Sequence, residues 1–351
     1  MHYLMWCLLF TYYLSNVIYD CFEFTGIQSG NLTHSVESGN RIFIYGAVVL
    51  LVAMGSMFFV ISLVNKLAII RKLLRDKEMA LDLIARQNEE LESREKSITD
   101  GLIYAQRIQE ARLPSEEFLR NYFPSSFIFF KPKDIVSGDF YWIEEYGDRL
   151  FVVAADCTGH GVSGALMSMI GMELIEKAIL EDHIIIPSHI LAAMNVALEK
   201  TFSRKKNIGT IIRDGMDIGI CLIDKGRQKI FYSGAFIPLY LLRSNSLNQI
   251  NGDKILIGMN PDRILYTDHE IDIQEDDMLY MFSDGYVDQF GGKDNKKFMY
   301  RRLRYLLLTI HRFDVLDQKL ILEENLRTWM GTNTQVDDML IIGFRPLEKA
   351  K

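Results

Sequence analysis

Apolar and polar positions fall into three successive textures along the chain. Two uncharged apolar stretches come first, residues 3–19 and 42–64. Between 65 and 112 apolar residues recur in alternating steps of three and four on a charged background. From about residue 125 the pattern breaks into short apolar runs bounded by turn residues, with longer helical patterns between groups of them. These textures predict a membrane region (1–64), a helical linker (65–112) and a soluble domain (113–351).

The stretch 42–64 is long enough to cross a hydrocarbon layer of about 30 Å as a helix. The stretch 3–19 is shorter. A signal peptide is the alternative reading there, but no basic segment precedes it and Tyr and Trp are frequent in it, so we read it as a first span. The loop 20–40 holds Asp20, Glu23 and Glu37 and neither Lys nor Arg, whereas Lys66, Arg71, Lys72 and Arg75 follow the second span. Positive charge collects on the cytoplasmic side, which places the rest of the chain in the cytoplasm. So short a loop leaves no room for a large external ligand domain.

In the linker, Leu67, Ile70, Leu74, Leu81, Ile84, Leu91, Ile98, Leu102 and Ala105 share one seam, with Lys77, Asn88 and Glu95 at its remaining places. A seam of this period predicts a parallel coiled coil joining two copies, in which Asn88 fixes register at some cost in stability. A single amphipathic helix is the alternative. Ile108 falls three residues after Ala105 and breaks the repeat, and Pro114 closes the helix.

In the soluble domain the patterns predict strands at 127–131, 140–144 and 150–155. Helices follow at 162–180 and 188–202, then strands at 216–223, 229–233, 239–243 and 278–282. Helices at 297–309 and 315–330 precede a last strand at 339–344. Strands grouped apart from helices imply an α+β fold with mainly antiparallel sheets. The formal net charge of −7 argues against nucleic acid as a partner. The four cysteines have neither zinc-site nor disulfide spacing and suit a reducing compartment.

The chemistry lies in aspartates at the ends of apolar runs. Asp139 opens one run, Asp156 closes another ahead of a turn with glycines at 159, 161 and 164, Asp284 follows a third, and Asp337-Asp338 opens the last. Carboxylates so placed would repel one another and lose hydration unless cations lie among them. An all-oxygen ligand set selects hard ions such as Mg²⁺ or Mn²⁺. Each aspartate alone reads better as a plain turn or cap, and it is the four together that point to a metal site.

Taken together, Ser137-Gly138-Asp139-Phe140-Tyr141-Trp142, Asp156-Cys157-Thr158-Gly159-His160-Gly161, Phe282-Ser283-Asp284-Gly285 and Gln335-Val336-Asp337-Asp338 resemble, in order and approximate spacing, the SpoIIE-like branch of PPM (PP2C-type) protein serine/threonine phosphatases. The resemblance covers roughly residues 104–344. It implies a sandwich of two antiparallel sheets flanked by helices, with two Mn²⁺ or Mg²⁺ ions at one edge. It implies Asp139, Asp156, Asp284 and Asp337 as metal ligands together with the backbone carbonyl of Cys157, and Asp338 as a carboxylate that supports the ligands. The implied reaction is metal-assisted hydrolysis of phosphoserine or phosphothreonine, with water as nucleophile and no protein nucleophile. The implied substrate is a phosphorylated cytoplasmic protein, such as an anti-sigma-factor antagonist. His160 could donate a proton to the leaving oxygen or serve as a structural residue of the glycine turn. Cys157 itself reads as a packing residue, since no phosphate-binding loop ending in Arg follows it.

Three features depart from the family pattern. Ser163 stands where relatives often carry Pro, and can cap the helix that follows. Phe236 and Ile237 stand where Asn is usual, in Ser233-Gly234-Ala235-Phe236-Ile237-Pro238. No recognisable sensor domain precedes the linker. In Arg213-Asp214-Gly215-Met216-Asp217, a turn leading into a strand is the preferred reading over two further carboxylates near the metals. A non-catalytic membrane adaptor with the same fold is the main rival function, opposed by the four intact aspartates. A nucleotide enzyme is the other, opposed by the lack of a GxxxxGK[ST] loop.

Overall fold

The computed structural model describes residues 32–203, 214–258 and 265–347, together with residues 9, 10, 12, 13, 16, 17 and 20. The apolar stretch 3–19 thus lies mostly outside the described residues. The chain divides into two compact units, Met1–Arg94 and Glu95–Lys351.

In the first unit the described structure is dominated by the helix α1, Leu32–Arg112, which continues into the second. It is the one helix among the described residues long and apolar enough to cross a membrane, and its apolar window is not buried within the chain. A core helix of a soluble protein would be buried. Further along, Leu67, Ile70, Leu74, Leu81, Ile84, Leu91 and Ile98 are all exposed, flanked by i,i+4 pairs such as Arg86–Asp82 and Arg94–Glu90. The single chain therefore carries its predicted seam as an uncovered apolar stripe.

In the second unit, α1 ends at Arg112 and a short helix not foreseen from sequence follows, α2 (Glu116–Tyr122), capped by the Ser115 hydroxyl. Next come β1 (Ser126–Lys131), β2 (Phe140–Tyr146) and β3 (Arg149–Cys157). The helix α3 (Gly161–Glu176), a π-helical turn Lys177–Glu181 and α4 (Pro187–Ser203) follow. Then come β4 (Met216–Asp224), β5 (Lys229–Ala235), β6 (Leu239–Arg243), β7 (Ser246–Ile250), β8 (His269–Asp272) and β9 (Met278–Phe282). The chain closes with α5 (Gly285–Asp288), the two-residue strands β10 (Phe290–Gly291) and β11 (Lys296–Lys297), α6 (Tyr300–Ile310), α7 (Val315–Met330) and β12 (Met339–Phe344).

Two five-stranded sheets result, ordered β1-β12-β9-β6-β7 and β2-β3-β4-β5-β8, and all their pairings are antiparallel. Strand periodicity explains the layers. Along β3, Leu150, Val152 and Ala154 pack with Ile128, Leu279 and Ile342 of the other sheet, while Phe151, Val153 and Ala155 pack against α3 and α4 through Met172, Ile175 and Met194. On the other sheet, Phe127, Tyr280 and Phe282 face Leu303 and Leu307 of α6 and Leu322 and Leu326 of α7. The order is helices, sheet, sheet, helices, as expected. Strands covered on both faces read as unbroken apolar runs, which is why β3, β9 and β12 stand out in the sequence.

Candidate metal centre

The inner faces of the two sheets are apolar along most of their length and turn acidic at one end. On β3 the inward series Leu150, Val152, Ala154 continues to Asp156. On β4 the series Ile223, Cys221 runs back to Asp217. On β2 the series Ile143, Tyr141 runs back to Asp139. On the opposite sheet Leu279 and Met281 lead through Ser283 to Asp284, and β12 is preceded by Asp337 and Asp338. Because every neighbouring pair is antiparallel, these strand ends lie at the same end of the sandwich. Period-two alternation thus delivers the carboxylates to one place.

Asp156, Asp217, Asp284 and Asp337 line one cavity of about 250 Å³, together with the Cys157–His160 turn. Asp139 lies just beneath, 1% exposed. The Ser283 hydroxyl donates to its Oδ2 and in turn accepts from the Leu340 amide at 2.9 Å. Asp156 lies close enough to Asp139 and Asp284 for each to act on its charge. Among the described residues, none of these five carboxylates forms an ion pair, and Asp217 Oδ1 is buried with no hydrogen-bond partner.

For Asp139, Asp156, Asp217 and Asp284 the electrostatic consequence is the same. Loss of hydration, reinforced by the Asp156 charge, raises the Asp139 pKa well above the ordinary carboxylate value. Asp156 is raised likewise, by loss of hydration and then by Asp284, Asp337 and Asp217. Asp217 is pushed up to about 7 by loss of hydration and by Asp284. Asp284 stands exposed at the cavity mouth, yet the surrounding protein removes enough of its hydration, with help from Asp288 and Asp337, to raise it to about 6. Like charges gathered in poorly hydrated space require either protons or cations between them.

The remaining residues frame this cluster. Asp338 is buried and accepts from the amides of Lys133 and Gly138, both at 2.7 Å, so it holds the loop that delivers Asp139. Asp337 and Asp338 therefore have separate surroundings. Gly138 sits so close to the glycine turn that a Cβ on it would lie 2.6 Å from the Gly159 carbonyl oxygen and 3.3 Å from that of Cys157. The Cys157 side chain is buried in the apolar layer under α3, and burial pushes its thiol up. His160 precedes α3 at the cavity rim, with Nδ1 3.0 Å from Asp134 Oδ2. The residue at the N-cap of α3 is His160, without a side-chain cap. Ser163 instead donates to the His160 carbonyl at 3.3 Å, so the expected capping role of Ser163 is corrected.

Two participants stand outside the ligand set that the resemblance implies. Asp217 lies in a strand, as preferred from the sequence, but pairs in register with Asp156 across β3 and β4 and lines the cavity, the alternative ranked second there. Asp214 does not line the cavity. The other is Gln109 on α1, 5% exposed. Its Nε2 donates to the Ser137 carbonyl at 2.6 Å and to Ser168 Oγ at 2.8 Å, and its Oε1 accepts from the Ser137 amide at 3.1 Å. It ties α1 to the backbone two residues before Asp139 and to α3. Its position, four residues after Ala105, is the next place on the linker seam.

The donor set suits hard divalent cations: all oxygen, mostly shielded, unneutralised, with one orphaned carboxylate oxygen. Among the described residues no three His, Cys, Asp or Glu side chains stand ready to hold one ion. Mg²⁺ usually takes only one or two carboxylates and fills its shell with water, so donors spread along a cavity of this size fit it.

The family model described as Stage II sporulation protein E (SpoIIE) matches residues 146–346, more than half of the chain. The structure of the PP2C domain of SiaA from Pseudomonas aeruginosa is similar, with a TM-score of 0.64 and 31% identity over 72% of this chain and 98% of that one. The PP2C phosphatase domain of the cell fate determinant SpoIIE from Bacillus subtilis, with a fragment of its regulatory domain, shares the fold. Its TM-score is 0.51 at 19% identity, over 63% of this chain and 62% of that one. Comparison with curated protein sequences found no match.

Proposed function

Since the chain belongs to the SpoIIE family and is a PPM-type protein serine/threonine phosphatase, we propose that its acidic cavity holds two Mg²⁺ or Mn²⁺ ions and hydrolyses phosphoserine or phosphothreonine on a cytoplasmic regulatory protein. The observation that carries this reading is the convergence of Asp139, Asp156, Asp217, Asp284 and Asp337 at one end of the sandwich, with no cationic side chain paired to any of them among the described residues.

Asp139, Asp156, Asp284 and Asp337, with the Cys157 carbonyl, are the ligands in this reading, and Asp217 joins them through its unpartnered oxygen. When bound, the ions supply the positive charge that activates water and steadies the phosphoryl group during in-line displacement. The protein's own residues do the rest. Ser283 holds the Asp139 carboxyl in place, and Asp338 holds the loop before it. His160, oriented by Asp134 at the rim, is the group available to protonate the leaving oxygen.

We further read residues 42–64 as a membrane span and the seam of α1 as a homodimeric coiled coil, both acting on the phosphatase through α1. Localisation at a bacterial inner membrane with the catalytic unit in the cytoplasm follows from the charge asymmetry around the span. An anti-sigma-factor antagonist is the class of substrate we favour.

The test is turnover by the full chain in detergent on a phosphoserine protein with Mn²⁺ and with Mg²⁺. Release of phosphate that is lost in Asp284→Asn is the expected result. No turnover with either metal on several phosphoproteins would favour a non-catalytic adaptor. Comparing phosphoproteomes of cells with the wild type and Asp284→Asn then identifies the substrate.

A further inference from the structure

The acidic cavity poses an electrostatic problem. Its substrate brings a phosphoryl group of charge about −2 to a chain whose own net charge is −7. The stretch just after Asp284 runs against that balance. Residues 293–304 contain Lys293, Lys296, Lys297, Arg301, Arg302 and Arg304 and a single carboxylate, Asp294.

Half of these cations are engaged. Lys296 pairs with Asp294 at 3.3 Å and Lys297 with Asp288 at 2.7 Å, while Arg304 turns to the Tyr240 hydroxyl and Gln249. Lys293, Arg301 and Arg302 form no ion pair among the described residues. They line one open cleft of about 1100 Å³ between the β10–β11 hairpin, α6 and α7, and no Asp or Glu lines it. Arg302 is already positioned: its guanidinium lies 4.4 Å from the Trp329 ring centroid and donates to the Phe298 carbonyl at 3.1 Å. Tyr305, 76% exposed, stands beside it.

The cleft is built on the same run of chain as the metal centre. The Phe298 and Met299 amides bond back to the carbonyls of Gln289 and Val287, at 2.9 and 2.8 Å, tying the hairpin to the turn that follows Asp284. The Lys297–Asp288 pair binds the same hairpin to the short helix that follows Asp284.

We propose that this cleft is the docking site for an acidic face of the phosphoprotein substrate, a reading that rests on the phosphatase function above. Charge decides the sign of the partner: three cations that no carboxylate neutralises attract anionic surface, steer an anionic substrate toward the cavity and offset the repulsion from the rest of the chain. Composition decides its class. Arginine with an exposed Tyr and a half-buried Trp is the make-up of protein contact surfaces and their energetic centres. A stacked guanidinium is also preorganised to fork onto carboxylates. A surface for anionic lipid needs no such cleft, only clustered charge.

The test uses the full chain in detergent with Mn²⁺ and three probes: p-nitrophenyl phosphate, a phosphoserine peptide flanked by glutamates, and the same peptide flanked by glutamines. Wild type is expected to favour the acidic peptide, with a preference that fades as salt rises. In Lys293→Glu/Arg301→Glu/Arg302→Glu, kcat/KM for the acidic peptide is expected to fall about tenfold or more through KM. Both the glutamine peptide and p-nitrophenyl phosphate should be hydrolysed as before, which also reports correct folding. The milder Arg301→Gln should show the same pattern more weakly. Equal treatment of the two peptides by wild type would overturn the proposal while leaving the phosphatase reading intact. So would a variant that keeps the acidic preference, or one that loses only binding to vesicles containing anionic phospholipid. Failure of wild type on all three probes would overturn the phosphatase reading and the docking site with it.

Discussion

Asp217 faces Asp156 directly across the β3–β4 ladder, a pairing of like charges that destabilises a sheet unless something compensates. Its carboxyl, pushed up to about 7, holds a proton in the metal-free fold where an unfolded chain would not. Asp217→Asn removes that conflict. In the metal-free protein it should be neutral below about pH 4 and stabilising above pH 7, by on the order of 1 kcal/mol once partial solvent access is allowed for. The same change should weaken Mn²⁺ binding. Thermal unfolding at pH 5 and pH 8, with and without Mn²⁺, measures both. A variant less stable at pH 8 without metal would contradict the reading. The aspartates proposed as ligands were legible in the sequence because each adjoins an apolar run. Asp217 was only the second reading, because it lies near the start of an apolar strand and only its register opposite Asp156 brings it to the cavity. Asp134 was hidden for a similar reason: nothing in the sequence brings it to His160.

At the scale of elements, Gln109 links α1 to the loop that carries Asp139 and to Ser168 of α3. Gln109→Ala leaves the buried Ser137 amide without its partner, a loss of about 1–3 kcal/mol. If α1 sets the position of Asp139, the variant should also need several-fold more Mn²⁺ for half-maximal activity, with activity regained at saturating metal. An unchanged Mn²⁺ requirement would reduce Gln109 to a packing residue. The strands buried on both faces, β3, β4, β9 and β12, announced themselves as apolar runs. The edge strands β7, Ser-Leu-Asn-Gln-Ile, and β8, His-Glu-Ile-Asp, did not, because each lies at the rim of its sheet with half its places in solvent. The fold class was thus readable and the layer order came with the family resemblance, while of the four edge strands β1 and β2 were found and β7 and β8 were not. The sequence also marked a break in the heptad at Ile108. The structure shows that the seam's next place, Gln109, is where the helix turns polar and enters the catalytic unit's own packing.

At the scale of the whole molecule, the proposed coiled coil would cover the exposed stripe from Leu67 to Ile98. The full chain in detergent should be a dimer by light scattering, and Ile84→Asp with Leu91→Asp should make it monomeric. A monomeric wild type would contradict the coiled coil. The titration of the cavity gives a second global signature. Asp217 and Asp284 have folded pKa values, about 7 and about 6, above the unfolded carboxylate value. The native state therefore binds more protons than the unfolded chain, and stability without metal is full near pH 4 and declines as pH rises through 6 and 7. Bound cations replace those protons, so Mn²⁺ should raise the melting temperature more at pH 8 than at pH 5. The central claim is that this cluster of carboxylates is a metal-dependent phosphatase centre. It is tested most directly by phosphate release from a phosphoserine peptide as Mn²⁺ is titrated into the metal-free full chain, for wild type and for Asp156→Asn. The expected result is no release without metal, a saturable rise with Mn²⁺ in the wild type, and a loss of at least a hundredfold in the variant, comparable to removal of a principal electrostatic group from a catalytic site. Release that needs no metal, or a variant that follows the wild-type curve, would contradict it.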